Sequence, residues 1–194
     1  MRILHVLDHS VPVHTVYSHR TLSLLRQQRA LGWHTIQLTG PAQGQVETGD
    51  RNRDGWHFFR TAPGAGGFPL DARRMARRLA HAITLTRPDI LHAHPPVLNA
   101  FAALHAARRA GLPLVASMPG RLHAPSFRDW ITRALERRVA RCAHAVVADS
   151  GEMRAWLVAG GADPARTRVV PPSPNAAASQ VGGLPAGIGA GPVI

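Results

Sequence analysis

The sequence predicts an α/β fold: a doubly wound parallel sheet of about seven strands with helices on both faces. Short apolar runs alternate with stretches of helical periodicity from one end of the chain to the other. Strands that alternate with helices in this way pair in parallel through right-handed crossovers. The apolar runs end at Asp8, His9, His94, Ser117–Arg121 and Asp149–Ser150. In such sheets ligands sit beyond the carboxyl ends of the strands, so these are the positions to test for function.

Taken in order, Arg2–Asp8 (RILHVLD) reads as a buried strand and Ser18–Leu31 as a helix ending at Gly32. His34–Thr39 (HTIQLT) is the second strand, followed by a polar, Gly-rich loop through Gly55. Trp56–Thr61 (WHFFRT) is the third strand and Pro63–Pro69 a turn. Across Asp71–Thr84, Met75, Leu79, Ala82 and Ile83 recur at helical spacing, which leaves Arg73, Arg74, Arg77 and Arg78 for a solvated face. Asp89–His94 (DILHAH) is the fourth strand, Val97–Ala110 a helix closed by Gly111, and Leu112–Ser117 the fifth strand.

Phe127–Cys142 carries the clearest helical pattern. Its apolar stripe of Phe127, Trp130, Ile131, Ala134, Leu135, Val139 and Cys142 is expected to face the core, with Ser126 as N-cap. Glu136, set among arginines, is expected to pair within the helix. His144–Asp149 (HAVVAD) is the sixth strand, Gly151–Ala159 a helix capped by Ser150, and Thr167–Val170 the last strand.

Residues 1–170 therefore form one domain. From Pro171 to Ile194 the chain carries no charge and is dominated by Gly, Pro and Ala, a linker composition. Its last residues, Gly-Pro-Val-Ile, read as the beginning of a further strand, so a truncated second domain is expected.

Composition narrows the function classes. The 194 residues are 45% hydrophobic, enough for one sizeable core. Cys142 is the single cysteine and has no internal partner, which fits a reducing compartment. Asp8 and His9 interrupt the opening apolar run before it reaches signal-peptide length. No run approaches the roughly 18 to 20 apolar residues of a membrane span, so a cytoplasmic protein is expected. The 23 basic residues, all arginine, against 11 acidic ones give a net charge of +12. That excess favours phosphates or an anionic membrane as neighbours. Nucleic acid is not expected, since no recognition motif accompanies the charge and only Trp56, Phe58 and Phe59 interleave with basic residues. No nucleophile triad motif, Walker loop, GxGxxG or Cys-rich metal spacing is present.

Three stretches share a resemblance: the opening MRILHVLDHSVPVHTVYSHRT with LLRQQRALGWHT after it, RPDILHAHPPVLNA, and RALERRVARCAHAVVADS continuing to RVVPPSPNAA. Together and in this order they resemble the N-terminal domain of family 4 glycosyltransferases of the GT-B fold, nearest the exosortase-associated branch of bacterial exopolysaccharide synthesis. The resemblance implies a Rossmann-like half of a transferase that needs no metal or other cofactor. A C-terminal domain would hold the nucleotide-sugar donor, and this half would present a sugar or polyprenyl-linked acceptor at the inner face of the cytoplasmic membrane. Arginines near an anionic leaflet gain roughly 1 kcal/mol each.

The chain departs from the family pattern at three places. Thr15 and Val16 stand where the family's donor-phosphate loop has a glycine. Met118-Pro119-Gly120 occupies the place of a histidine implicated in catalysis, and Asn175-Ala176-Ala177 lacks the usual following acid.

Within this frame His94 and Arg121 are the candidate catalytic residues, Arg121 replacing the absent charge after the fifth strand. His9, Tyr17, Arg20 and Asn99 are candidates for binding the acceptor, with Arg20 near a helix N-terminus that favours anions. Asp8 is expected to hold its loop through backbone N–H groups. His92 and His94 share one strand face and so can ligate a metal, but the sequence places no further ligand beside them. His92 is read as a packed core histidine. The alternative function is a non-catalytic acceptor-binding module or subunit that needs a separate donor-binding partner.

Overall fold

The computed structural model describes residues 1–43, 51–53, 55–62, 67–119 and 127–171, the side chains of 51–53, 67–69 and 127–129 aside. Arg121, Ser126 and the linker beyond Pro171 lie outside the described residues.

In chain order the elements are β1 (Arg2–Leu7), α1 (Val16–Ala30), β2 (His34–Thr39), a 3-10 turn at Pro41–Gln43, β3 (Arg51–Arg53), β4 (Trp56–Arg60), α2 (Gly67–Thr86), β5 (Ile90–Ala93), α3 (Val97–Ala110), β6 (Leu114–Met118), α4 (Phe127–Cys142), β7 (Ala145–Ala148), α5 (Gly151–Ala159) and β8 (Thr167–Val169). The sheet runs β3-β4-β2-β1-β5-β6-β7-β8. Every neighbouring pair is parallel except β3–β4. The expected seven parallel strands are therefore present.

The eighth, β3, falls where the sequence reads as loop. Its Arg-Asn-Arg has no apolar alternation, and it joins only β4, around a turn at Gly55 with φ 73°. A charged edge strand is held by backbone pairing alone, which composition does not reveal.

Helix limits follow local chemistry. α1 starts at Val16, two residues before the expected Ser18, because Thr15 and Ser18 form a reciprocal capping box. α2 starts at Gly67 and takes in Pro69, which the first turn of a helix tolerates. α3 stops at Gly111, whose left-handed φ of 66° favours glycine.

Strand alternation sends successive side chains to opposite faces, and the neighbours Phe58 and Phe59 join different cores. On one face Leu4, Val6, Leu38, Leu91, Ala93, Leu114 and Ala116 pack under α2, α3, α4 and α5. On the other, Leu22 and Leu25 of α1 meet Phe58 and Trp56. The guanidinium of Arg29 lies 3.7 Å over the Trp56 ring. With Trp56, Phe58 and Phe59 all buried, no aromatic there is free to stack on a base.

The apolar stripe of α4 departs from expectation. Val139 and Ala140 are buried, but Trp130 is 68% and Ile131 45% exposed, and Glu136 is the residue turned inward. Sequence periodicity locates a stripe but not the rotation of the helix about it. Here α4 leans on α3, and packing uses the face shared by Glu136, Val139 and Ala140.

Candidate functional site

The face of the sheet beneath α1 is polar. Gln37, His5 and His92 lie side by side across β2, β1 and β5, in register. His94 follows two residues beyond His92 on the same face. His5 Nδ1 and His94 Nε2 are 3.1 Å apart and share a proton-mediated hydrogen bond. His92 Nε2 meets the Ser117 hydroxyl at 3.0 Å. The Gln28 amide of α1 leans toward His5, although His5 Nε2 and Gln28 Oε1 stay without a completed bond.

Burial dominates the electrostatics of these rings. It pushes His92 from 6.5 down to about 4. It holds His5 well below the ordinary histidine range, helped by His92, and His94 likewise, helped by His92, His5 and Arg20. All three are neutral imidazoles near neutral pH.

The three rings are also the metal-capable group among the described residues, each offering a nitrogen within 4.8 Å of the others. The third ligand that the sequence did not place is thus His5. Tetrahedral ligands held about 2.0–2.1 Å from one ion sit closer together than that spread. Arg20 also lies near enough for its charge to weigh against a cation there. The arrangement is better described as a hydrogen-bonded neutral cluster.

At the exit of β1 a second network forms. His9 Nε2 approaches Thr15 Oγ1 at 2.6 Å and its Nδ1 approaches Asp8 Oδ2 at 3.0 Å. The Asp8 carboxylate therefore engages a histidine ring, where backbone N–H groups were expected. The Tyr17 hydroxyl instead accepts the Asp8 backbone N–H at 3.1 Å, and its ring lies 4.9 Å from that of His9. Burial raises the Tyr17 phenol above its usual range.

Thr15 is occupied twice, by His9 and by the Ser18 N–H that it caps. Val16 begins α1 and is exposed. The helix N-terminus at the expected donor-phosphate loop is thus capped by its own side chains.

The loop is braced from below by residues the sequence reading overlooked. Gln43 bonds both the N–H and the carbonyl of Ser10, and buried Arg60 donates to Gln43 Oε1, Thr39 Oγ1 and the Val11 carbonyl.

At the exit of β5, the acceptor-binding candidate Asn99 is buried. Its Nδ2 donates to the carbonyls of His94 and Pro95, both at 3.1 Å. Gly40 at the β2 exit packs beside it: a Cβ there would make ordinary contact with Asn99 Oδ1 and with the Asp8 carbonyl, both at 3.4 Å. Arg20 is exposed on the second turn of α1 and near enough for its charge to weigh on His94. His9, Tyr17, Arg20, His94 and Asn99 all therefore belong to the β1 and β5 exits or to the helices they lead into. Of these, only Arg20 is exposed; His9 and Tyr17 are half-buried, and His94 and Asn99 are buried. The missed residues, His5, Gln37 and Arg60, carried one legible signal: polar side chains at alternate positions of apolar strands.

Residues 17–173 match the family profile of the glycosyl transferase 4-like domain. The chain belongs to that family. Solved structures agree on the fold. UDP-N-acetylglucosamine 2-epimerase from Rickettsia bellii superposes with a TM-score of 0.68 at 12% identity, over 93% of this chain and 47% of that one. Sucrose-phosphate synthase from Thermosynechococcus elongatus gives 0.66 at 14% identity, over 93% of this chain and 94% of that one. UDP-GlcNAc 2-epimerase from Neisseria meningitidis, bound to UDP-GlcNAc, gives 0.63 at 14% identity, over 87% and 46%. This glycosyl transferase 4-like chain therefore spans about half the length of the two epimerases. No curated protein matches it by sequence. Among the described residues no helix is long and apolar enough to cross a membrane.

Proposed function

We propose that residues 1–170 are the acceptor-side half of a sugar transferase of the exosortase-associated exopolysaccharide branch. The sugar comes from a nucleotide-sugar held by a donor-binding domain, and residues 171–194 tether the two. The acceptor is a polysaccharide or polyprenyl-diphosphate-linked sugar, met in the cytoplasm at the membrane's inner face. The observation that carries this reading is the gathering of His9, Tyr17, Arg20 and His94 at the exits of two adjacent strands, β1 and β5. Brought together there are a wall of mutually hydrogen-bonded polar rings and, on exposed Arg20, a cation for phosphate. Sugar transfer requires such a group to hold the acceptor hydroxyl close to a stabilised leaving diphosphate. His94 and Arg121 are the proposed catalytic residues. Asn99 acts by fixing the β5 exit loop, and Thr15 and Val16 border the donor phosphates.

A second reading is favoured by the self-capped N-terminus of α1, where Thr15 already satisfies the Ser18 N–H. In it the chain is a non-catalytic acceptor-binding subunit.

The test uses the chain with a polyprenyl-diphosphate sugar and a panel of nucleotide-sugars. The chain alone should bind the acceptor without turnover, and Arg20→Ala should weaken binding roughly threefold to tenfold. Adding a cognate donor-binding domain should restore transfer, unaffected by chelators. Turnover by the chain alone would overturn the half-site. Binding that no donor domain converts to transfer would select the second reading.

A further inference from the structure

A helix that exposes a tryptophan beside arginines departs from ordinary burial. On α4, Trp130, Ala134, Arg137, Arg138 and Arg141 fall at helical spacing on the outward side and are all exposed, with Ile131 beside Trp130. Trp130 and Arg133 begin a shallow groove that continues past Arg137 to Arg141. Among the described side chains of α4 the one acid, Glu136, is buried on the opposite side.

Two of the arginines are held in place. Arg137 lies 5.2 Å over the Trp156 ring, and Arg141 Nε donates to the Gly160 carbonyl at 2.7 Å. Glycines at 160 and 161 make room for them: an added Cβ would meet Arg137 at 2.9 Å or Arg141 at 2.7 Å. Fixed cations beside an exposed indole form a surface ordered before any partner arrives.

The topology says where this surface lies. α4 follows the exit of β6, so its first turn, which holds Trp130, stands at the carboxyl edge of the sheet, as do His9 and His94. Apolar surface bordered by arginine matches one environment well, the interface of an anionic bilayer. There indole rings settle at headgroup depth and guanidinium groups meet lipid phosphates.

We propose that the outward face of α4 docks on an anionic lipid leaflet, with Trp130 and Ile131 entering the interface and Arg137, Arg138 and Arg141 lying on the phosphates. This docking rests on the lipid-linked acceptor proposed above, and it places the strand exits beside the leaflet from which such an acceptor would come.

Flotation of the full chain with phosphatidylcholine vesicles, with and without phosphatidylglycerol, tests it. Binding should require the anionic lipid and weaken as salt is raised. Trp130→Ala should raise the lipid needed for half-binding roughly tenfold, as should Arg138→Glu. Neither exposed residue supports the core, so thermal melting should stay unchanged. Arg73→Glu with Arg77→Glu on α2 is the control for net charge. If that pair weakens binding as much as Arg138→Glu, the general +12 charge and not α4 is responsible, and the assignment fails. It fails too if Trp130→Ala has no effect, or if Trp130→Ala instead converts a dimer to a monomer by light scattering. Vesicle binding lost while detergent-solubilised acceptor still binds would sink the docking surface alone. Acceptor binding lost while α4-dependent vesicle binding persists would sink the acceptor reading alone.

Discussion

The two faces of the sheet are made of different chemistry. Under α2–α5 lie Leu, Val, Ala and Met with Phe59, packed from β4 to β7. Under α1 lie His5, Gln37, Thr35, Thr39 and His94, with a small aromatic and aliphatic cluster at the β4 end. Both faces exclude water, yet only one gains most of its stability from doing so. A polar interior costs desolvation unless its groups bond one another, so it is kept where it serves geometry. The lesson is that the aliphatic face holds the sheet together, while the α1 face sets the loops at the strand exits.

The difference can be broken first where it is largest. Leu91→Ala and Leu114→Ala, both fully buried in the aliphatic face, should each cost about 2–5 kcal/mol by urea denaturation. Acceptor binding at temperatures where the variants remain folded should change little. Equal losses of binding and stability would show that the faces are not separable.

Acid should attack the other face. The folded state holds His92 at about 4 against 6.5 when unfolded, so across that window the unfolded chain binds more protons. Stability is full above about pH 6.5 and falls as pH drops toward 4, by about 3 kcal/mol for His92 alone. His5 and His94 act in the same direction. Urea midpoints at successive pH values should show the decline, and His92→Gln should flatten it. A profile unchanged by that substitution would mean the ring titrates normally.

His5→Leu should cost less than the leucine truncations, about 1–3 kcal/mol, because it strands His94 Nε2 without its 3.1 Å partner. Acceptor binding should nevertheless drop more than in either leucine variant, since His94 loses its orientation. Finally, Thr15→Ala removes the α1 cap and the His9 contact, for about 1 kcal/mol. Thr15→Ser should retain both.

Much of this architecture was legible beforehand. The seven parallel strands, α3, α4 and α5 follow from runs of apolar residues, from Ser150 as a cap and from Gly111 as a stop. Arg51–Arg53 was not legible, because an edge strand needs a neighbour's backbone and no particular side chains. Trp130 was misjudged for a related reason: the same stripe of residues is consistent with several rotations of the helix, and the packing partners choose one. His94 and His9 were found from their place after strands. His5 was hidden, since a single histidine in RILHVL gains meaning only from His92 on a strand 87 residues away.

The sequence by itself determined the alternation of strands and helices, the positions of the strand exits and the family, because these depend on periodicity and local capping. Which polar groups meet was decided by the tertiary structure alone. Parallel registry aligns Gln37, His5 and His92 across three strands, and burial then sets their charge. Both effects arise between segments far apart in the chain, where no local pattern records them.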